Sequence, residues 1–384
     1  MELITCEEAF SSRNKAAKKN KMIQINIAVF GVGTVGSAFV NQVLSDAQLV
    51  KVRANIQLCV FAIANSSKVI LSSTGFVENW ERALHQRGEE YVSIDVVLRF
   101  AREHQLQNLI AIDNTASRDL VASYSSIIKS GFDVVSSNKI ANTLSYSFYK
   151  QLRSTLEEHQ KIYAYETNVG AGLPLIHTLR LLHDSGERIT KVRGVFSGSL
   201  SYLFNAFSSQ NRTFSEVLKE AVEKGFTEPD PREDLCGNDV ARKLLILARE
   251  LGAENEFEEV QVENLIPVEL REGGADYFLS RLDKMNALFL KKKEAQPPDH
   301  VLRYVGELSG DLVEGKMYLA VKLISVPVTS SLGGLKHSDT IFEVYTDSYG
   351  QRPFVIQGAG AGAEVTARGV FGDVLRLAKT KQRC

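Results

Sequence analysis

Cysteine is scarce in this chain of 384 residues: four in all, at Cys6, Cys59, Cys236 and Cys384. They are too dispersed for a C-x-x-C metal or redox pair and too few to staple a chain of this size. A disulfide scaffold is excluded and a reducing compartment, the cytoplasm, is expected. Excess charge is lacking too. The 45 basic and 46 acidic residues leave a formal net charge of −1, and basic residues cluster only from Lys15 to Lys21 and from Lys291 to Lys293. That leaves no electrostatic footprint for a nucleic acid. No apolar run approaches the roughly 20 residues that span a bilayer. The first stretch has no apolar signal core and carries Glu2, Glu7 and Glu8, against a secretory or organelle leader; residues 1–22 read as a polar tail. What is present, 44% hydrophobic and 24% charged residues, suffices for two cores at roughly 100–200 residues per domain. A small-molecule partner, with no nucleic acid and no membrane, is therefore expected.

From Ile23 the pattern becomes strand-like and runs through Phe30 into Gly31, Gly33 and Gly36, followed by a helical stretch from Ser37 to Leu49. Apolar strands are predicted at 56–63, 109–112 and 133–136, with a helix over 117–130 between the last two. This alternation predicts a parallel sheet covered by helices, an α/β domain over 23–163. Past residue 164 the character changes. Gly170 and Gly172 lead into a helix with Pro174 near its first turn, where proline's missing N–H costs little. Helices are predicted over 213–224 and 239–251, then strands over 302–308, 317–328 and 341–346, an α+β pattern for 164–349. The glycine-rich 357–362 stretch precedes a helix over 364–379, and segment 350–384 is expected to return to the first domain.

The G-x-G-x-x-G spacing of Gly31, Val32, Gly33, Thr34, Val35 and Gly36 has a mechanical reading. The first glycine permits a tight turn, the second lets backbone approach a pyrophosphate, and the third lets helix pack on strand, while the helix N-terminus receives the phosphate. A bare match is weak; its place between a predicted strand and helix makes it a Rossmann-like dinucleotide site. An acid some 20 residues on would grip the ribose 2′-OH of NAD. Between Lys51 and Val77 there is no Asp or Glu, whereas Asn65, Ser66, Ser67 and Lys68 follow the second strand. NADP(H) is therefore favoured, with NAD(H) as the alternative. Ligands of open sheets gather at strand carboxyl ends, which draws attention to Asp113–Thr115 and Ser136–Lys139.

The segment from Ala221 to Lys243 is dense in acids, prolines and glycines: Gly225, Glu228, Pro229, Asp230, Pro231, Asp234, Gly237 and Asp239. Asp239 and Lys243, four apart, share one helix face. An isolated pair of this kind is by default an exposed ion pair. This segment, however, resembles the signature of the homoserine dehydrogenases, in which the same residue types recur in this order. The resemblance extends to Gly31–Gly36, Asp113–Thr115, Ser137–Lys139, Tyr165–Pro174, Ser197–Asn205 and Gly358–Gly362.

The resemblance implies NAD(P)-dependent interconversion of aspartate 4-semialdehyde and homoserine by a homodimer whose second domain is both catalytic and dimerising. It implies that Glu228 and Asp234 bind the substrate, with Ser199 a substrate-side hydroxyl. Asp239 and Lys243 would hold the reacting oxygen and manage its proton, with Lys139 a further acid–base group. Thr115, Lys139 and Gly362 match cofactor-contacting positions. Glu166, Val169, Ala171 and Leu173 match a monovalent-cation (Na+ or K+) site built on backbone carbonyls. Many relatives have Thr at Ser199 and Lys at Ile140; the hydroxyl and the first lysine are retained. The chemistry agrees, since hydride transfer to an aldehyde makes an alkoxide that needs a cation or proton donor. Two other readings stay open: an aldehyde-oxidising dehydrogenase, which needs an activated cysteine, and a cofactor-binding sensor without catalysis. The resemblance further implies that threonine feedback requires an appended ACT-type domain or a fused aspartokinase. With no unassigned stretch of domain size outside the two catalytic domains, insensitivity to threonine is expected.

Overall fold

The computed structural model describes residues 22–310 and 315–383; nearly all of the expected polar tail lies outside them. The first sheet has seven strands: β1 (Ile23–Phe30), β2 (Ile56–Ala64), β3 (Lys68–Leu71), β4 (Glu89–Glu90), β5 (Leu109–Asp113), β6 (Asp133–Ser136) and β7 (Tyr163–Ala164), in the order β4-β3-β2-β1-β5-β6-β7. Strands β2, β1, β5, β6 and β7 are mutually parallel, and β3 and β4 add an antiparallel edge. The end of β1, Ile27–Phe30, reads as an unbroken apolar run because both its faces are buried. Ile25, Ile27 and Val29 enter one core and Ala28 and Phe30 the other. Helix α1 (Thr34–Ala54) follows β1 and ends on Asn55, left-handed at φ 53°, whose N–H donates to Lys51 O. The helix expected over 117–130 is two, Arg118–Ala122 and Tyr124–Lys129. Ser123 between them bonds its own hydroxyl back to Asp119 O, the local competition that breaks a helix.

The second sheet has six strands: β8 (Ile189–Val195), β9 (Gln261–Val262), β10 (His300–Ser309), β11 (Tyr318–Pro327), β12 (Asp339–Thr346) and β13 (Phe354–Ala359), in the order β13-β12-β8-β10-β11-β9, antiparallel except for β11 with β9. One face packs on helices, with Leu302, Tyr304, Leu308 and Phe342 in the large core. The other carries a small cluster of Val195, Val305, Val326 and Ile341, closed by Leu332 and Leu335. Five further helices matter to the site: α2 (Ile140–Thr143), α3 (Leu175–Asp184), α4 (Gly198–Ser209), α5 (Asn238–Glu250) and α6 (Ala363–Arg383). α6 lies on α1 and buries Ala367, Val370, Phe371 and Val374 in the core beneath β1. Phe39 and Phe371 meet edge to face with centroids 6.3 Å apart. The return to the first sheet starts later than residue 350, because β13 still pairs with β12; the crossing is made at Gly360–Gly362, where Gly362 has φ +120°.

Candidate active site

The direction of chain progression reverses between β1 and β5, where open sheets place ligands beyond the strand ends. Gly31 (φ +85°) and Gly36 make the turn after β1. A Cβ on Gly36 would lie 1.9 Å from Gly31 O, and one on Gly31 would lie 2.9 Å from Asn114 O. A Cβ on Gly33 would meet nothing within 4 Å, so at this position backbone is bared to open space. Gly33 is the N-cap of α1, whose first turn has no acidic side chain and whose free N–H groups suit an anion. Val32 O is held by Ser37 Oγ at 2.8 Å, and Thr34 and Val35 open the helix. Gly362 opens α6, likewise with nothing near its Cβ position.

Asp113 ends β5 nearly fully buried. It accepts Thr115 N–H (2.8 Å), Thr115 Oγ1–H (2.7 Å), Tyr124 O–H (2.7 Å) and Asn138 Nδ2–H (3.0 Å). Burial pushes its carboxyl up, against these donors. One carboxylate thus ties the loop after β5 to the loop after β6. Asn138 Oδ1 then accepts Ile140 N–H and starts α2, which fixes Lys139 at the edge of a cleft. That cleft, a cavity of about 610 Å³, is lined by Thr115, Ser137, Lys139, Asp239, Arg242 and Phe257. Thr115 and Ala116 are shared with a second cavity of about 730 Å³, which reaches past Gly31 to Asn65, Ser66 and Asp95. The two form one trough from the end of β2 to α5.

Asp239 stands in the far wall, and behind it Lys243, largely buried, places its ammonium 2.7 Å from one Asp239 oxygen and 2.8 Å from Phe196 O. Lys139 approaches the other Asp239 oxygen at 3.4 Å. Partial desolvation works against ionisation of Asp239, whose side chain is half-buried, but the Lys243 and Lys139 ammoniums outweigh it and hold the carboxyl well below the usual range. The helix-face pair seen in the sequence is therefore a lysine–carboxylate–lysine row joining two domains. Ser197 caps α4 by accepting Leu200 N–H at 3.3 Å and lies 2.7 Å from Ser199 Oγ. Ser199 donates to Asp234 at 2.6 Å, and Glu228 N–H donates to the other Asp234 oxygen at 2.9 Å. Asp234 is raised by burial against these two donors. Both its oxygens are thus already engaged in holding the loop, while the Glu228 side chain is exposed.

The Glu166–Leu173 loop is buried between α3 and α6. The Glu166 carboxylate accepts His177 N–H at 3.0 Å and lies 3.7 Å from Arg376. Burial and the neighbouring Asp373 carboxylate push it up to about 7, against Arg376. The side chain thus serves the start of α3, and any cation here falls to backbone oxygens, of which Leu173 O already accepts Leu175 N–H at 2.9 Å. Val169 is buried and Ala171 adopts φ +52°. No cluster of three or more His, Cys, Asp or Glu side chains fit for a metal occurs among the described residues. Of the stretch after β2, Asn65 and Ser66 line the trough and Lys68 turns away from it. Its ammonium donates to His85 O at 2.6 Å, because Asn65 Oδ1 accepts Ser67 N–H and Lys68 N–H and turns the chain into β3. Sequence reasoning overlooked Arg242 and Phe257, which line the cleft, and the Phe196 carbonyl that holds Lys243; no spacing in the sequence marks them.

Backbone open to a phosphate after β1 and a lysine–carboxylate–lysine row at α5 flank one trough, the layout of a dinucleotide-binding domain set against a second domain. Comparison with known proteins narrows the class. The family profile "Homoserine dehydrogenase, NAD binding domain" matches residues 31–166 and "Homoserine dehydrogenase" matches 174–375, and the chain belongs to the homoserine dehydrogenase family. It is 38% identical over 372 residues to a bifunctional aspartokinase/homoserine dehydrogenase of Haemophilus influenzae, covering 96% of this chain and 44% of that protein. The chain thus spans under half the length of that relative. In structure it is similar to a protein of unknown function from Candida auris (TM-score 0.83, 31% identity, 93% of this chain and 98% of that one). It shares its fold with a hyperthermophilic archaeal homoserine dehydrogenase in complex with NADPH (TM-score 0.70, 22% identity, 93% and 98% covered).

Proposed function

We propose that this protein interconverts L-aspartate 4-semialdehyde and L-homoserine with NADP(H) or NAD(H), in threonine, methionine and isoleucine biosynthesis. The observation that carries the reading is the Lys139–Asp239–Lys243 row at the end of the dinucleotide trough. A bound nicotinamide supplies or accepts the hydride. The rest falls to the chain. Lys243, fixed by Asp239 and Phe196 O, stabilises the oxygen that becomes an alkoxide and gives it a proton; Lys139, sharing Asp239, is the second donor. The exposed Glu228 carboxylate complements the substrate ammonium. Asp234 orients the Ser199 hydroxyl rather than meeting the substrate with a free carboxylate. Gly31–Gly36, Thr115, Lys139 and Gly362 contact the cofactor, and carbonyls of Glu166, Val169, Ala171 and Leu173 hold a monovalent cation.

A cytoplasmic homodimer is part of the same proposal. The dimer is supported by the face of the second sheet away from the helices, where Tyr318 and Val355 are exposed beside the Arg193–Glu343 and Lys322–Glu307 pairs. The test is a spectrophotometric assay of purified protein with homoserine and each oxidised cofactor between about pH 7 and 10. Turnover is expected; none with either cofactor would overturn the reading.

A further inference from the structure

Arg249 lies near the C-terminal end of α5, on the helix whose first turn carries Asp239. Its side chain is fully enclosed, yet each of its five N–H groups has an acceptor. Nη1 donates to Asn142 O (2.9 Å) and Leu144 O (2.6 Å). Nε and Nη2 both donate to Asn255 O (3.2 and 3.0 Å), and Nη2 donates to Glu256 Oε2 (3.0 Å). Glu256 in turn accepts Tyr146 N–H at 2.8 Å. The guanidinium thus binds the carbonyls that end α2, three and five residues beyond Lys139.

Segment 139–144 therefore touches α5 at both of its ends. Lys139 meets Asp239 at the cleft, and the Asn142 and Leu144 carbonyls meet Arg249 about three turns away. The cleft contact is partly exposed, at 32% for Lys139 and 42% for Asp239, and an ion pair in water does not hold two domains in register. The buried end does, because a planar five-donor fork is satisfied by one arrangement of its acceptors. Asn142 is fixed from its other side as well, by Arg153 at 2.9 Å and Asn168 at 3.0 Å.

We propose that Arg249 is a positioning residue of the reaction: by clamping the end of α2 to α5 it sets Lys139 against Asp239. The proposal rests on the dehydrogenase reading of the cleft. It is tested with R249Q and R249K, alone and with K139A, in the full-length protein below the melting temperature of every variant. In R249Q, kcat falls about 10-fold or more while KM for homoserine changes less than about 3-fold, and R249K recovers part of the loss. With Lys139 already removed, R249Q costs less than about 2-fold, because its effect passes through that lysine. An equal loss in both backgrounds marks a merely structural role and overturns the proposal. Hydrogen exchange supplies a readout independent of substrate: amides of 138–146 exchange faster in R249Q than in wild type, and unchanged exchange there also overturns it. Wild-type protein inactive on homoserine sinks the functional reading instead, leaving the clamp to be judged by exchange. If R249Q does not fold, R249K carries both measurements.

Discussion

The Lys139 ammonium lies 3.4 Å from the Asp239 carboxylate, although one follows a strand of the first sheet and the other starts a helix packed on the second. Asp239 also holds Lys243 at 2.7 Å, so one carboxylate sets two candidate proton donors. K243A and D239A are each expected to lower kcat by about 100-fold or more, the scale of a lost general acid–base group. Steady-state kinetics with homoserine check this; near-normal kcat in both would return the row to an ordinary ion-pair network.

The same row fixes a pH dependence. A carboxyl whose folded pKa is depressed stays charged above its unfolded value and gives up its pairing only as pH falls through the folded one. Against its partial desolvation, Asp239 is held down by the two ammoniums, so it is ionised at every pH above about 4–5. The acidic limb of kcat therefore belongs to other groups. D239N should lower the whole profile by a nearly constant factor between about pH 6 and 9. A change confined to the acidic end would show that Asp239 titrates in the working range.

Glycine substitutions separate folding from cofactor binding. Gly33 has open space where a Cβ would go, whereas Gly36 would place one 1.9 Å from Gly31 O. G33A should keep the wild-type melting temperature but lose about 10-fold or more in cofactor affinity, because the methyl occupies the pyrophosphate approach. G36A should lower the melting temperature itself. Calorimetry and a fluorescence titration with NADPH give the two readouts, and equal melting losses in both variants would remove the assigned role of Gly33.

The legible parts of this fold are those buried on both faces. β5 and β6 are marked by apolar runs, and β6 begins and ends where the sequence places it, at Asp133 and Ser136. β8, the second sheet's strand between β12 and β10, carries no such mark. Its Lys191 and Arg193 point to the open face, where Arg193 pairs with Glu343, so its seven residues do not read as apolar. β13 alternates half-buried and exposed residues and runs into the glycine stretch. Helix α4 hides because its first turn is serine and glycine, residues weak in helix propensity; Ser197 starts it as a cap. The acids of the 221–243 segment could be located by resemblance. That Asp234 spends both oxygens on Ser199 and Glu228 depends on a loop closing across α4, which no spacing encodes.

That closure gives a prediction for substrate binding. S199A removes a donor from a half-buried carboxylate that has one other hydrogen bond, from Glu228 N–H. It should raise KM for homoserine by about 5- to 20-fold, with a smaller change in kcat, since a misplaced loop weakens ground-state and transition-state binding alike. S199T keeps the hydroxyl and should stay within about 3-fold of wild type. A loss in S199A that falls wholly on kcat would instead place the hydroxyl at the reacting oxygen.

Cofactor choice turns on the end of β2. An acid there would select NAD, but Ala64 is followed by Asn65 and Ser66, which line the trough. Lys68, the one cation close in sequence, is spent on His85 O. The Asx turn at Asn65 leads the chain directly into β3, so the lysine leaves the trough as the strand begins. K68A should accordingly change the ratio of kcat/KM for NADP over NAD by less than about 3-fold, well under the tenfold that 1.4 kcal/mol represents. Ser66 faces the trough, and a carboxylate placed there would meet the 2′-phosphate as a like charge. S66D should therefore depress kcat/KM for NADP by about 10-fold or more and spare NAD. Initial rates with both cofactors, for wild type and the two variants, decide the matter. A K68A variant that loses its NADP rate selectively would show that the lysine leaves His85 when cofactor binds.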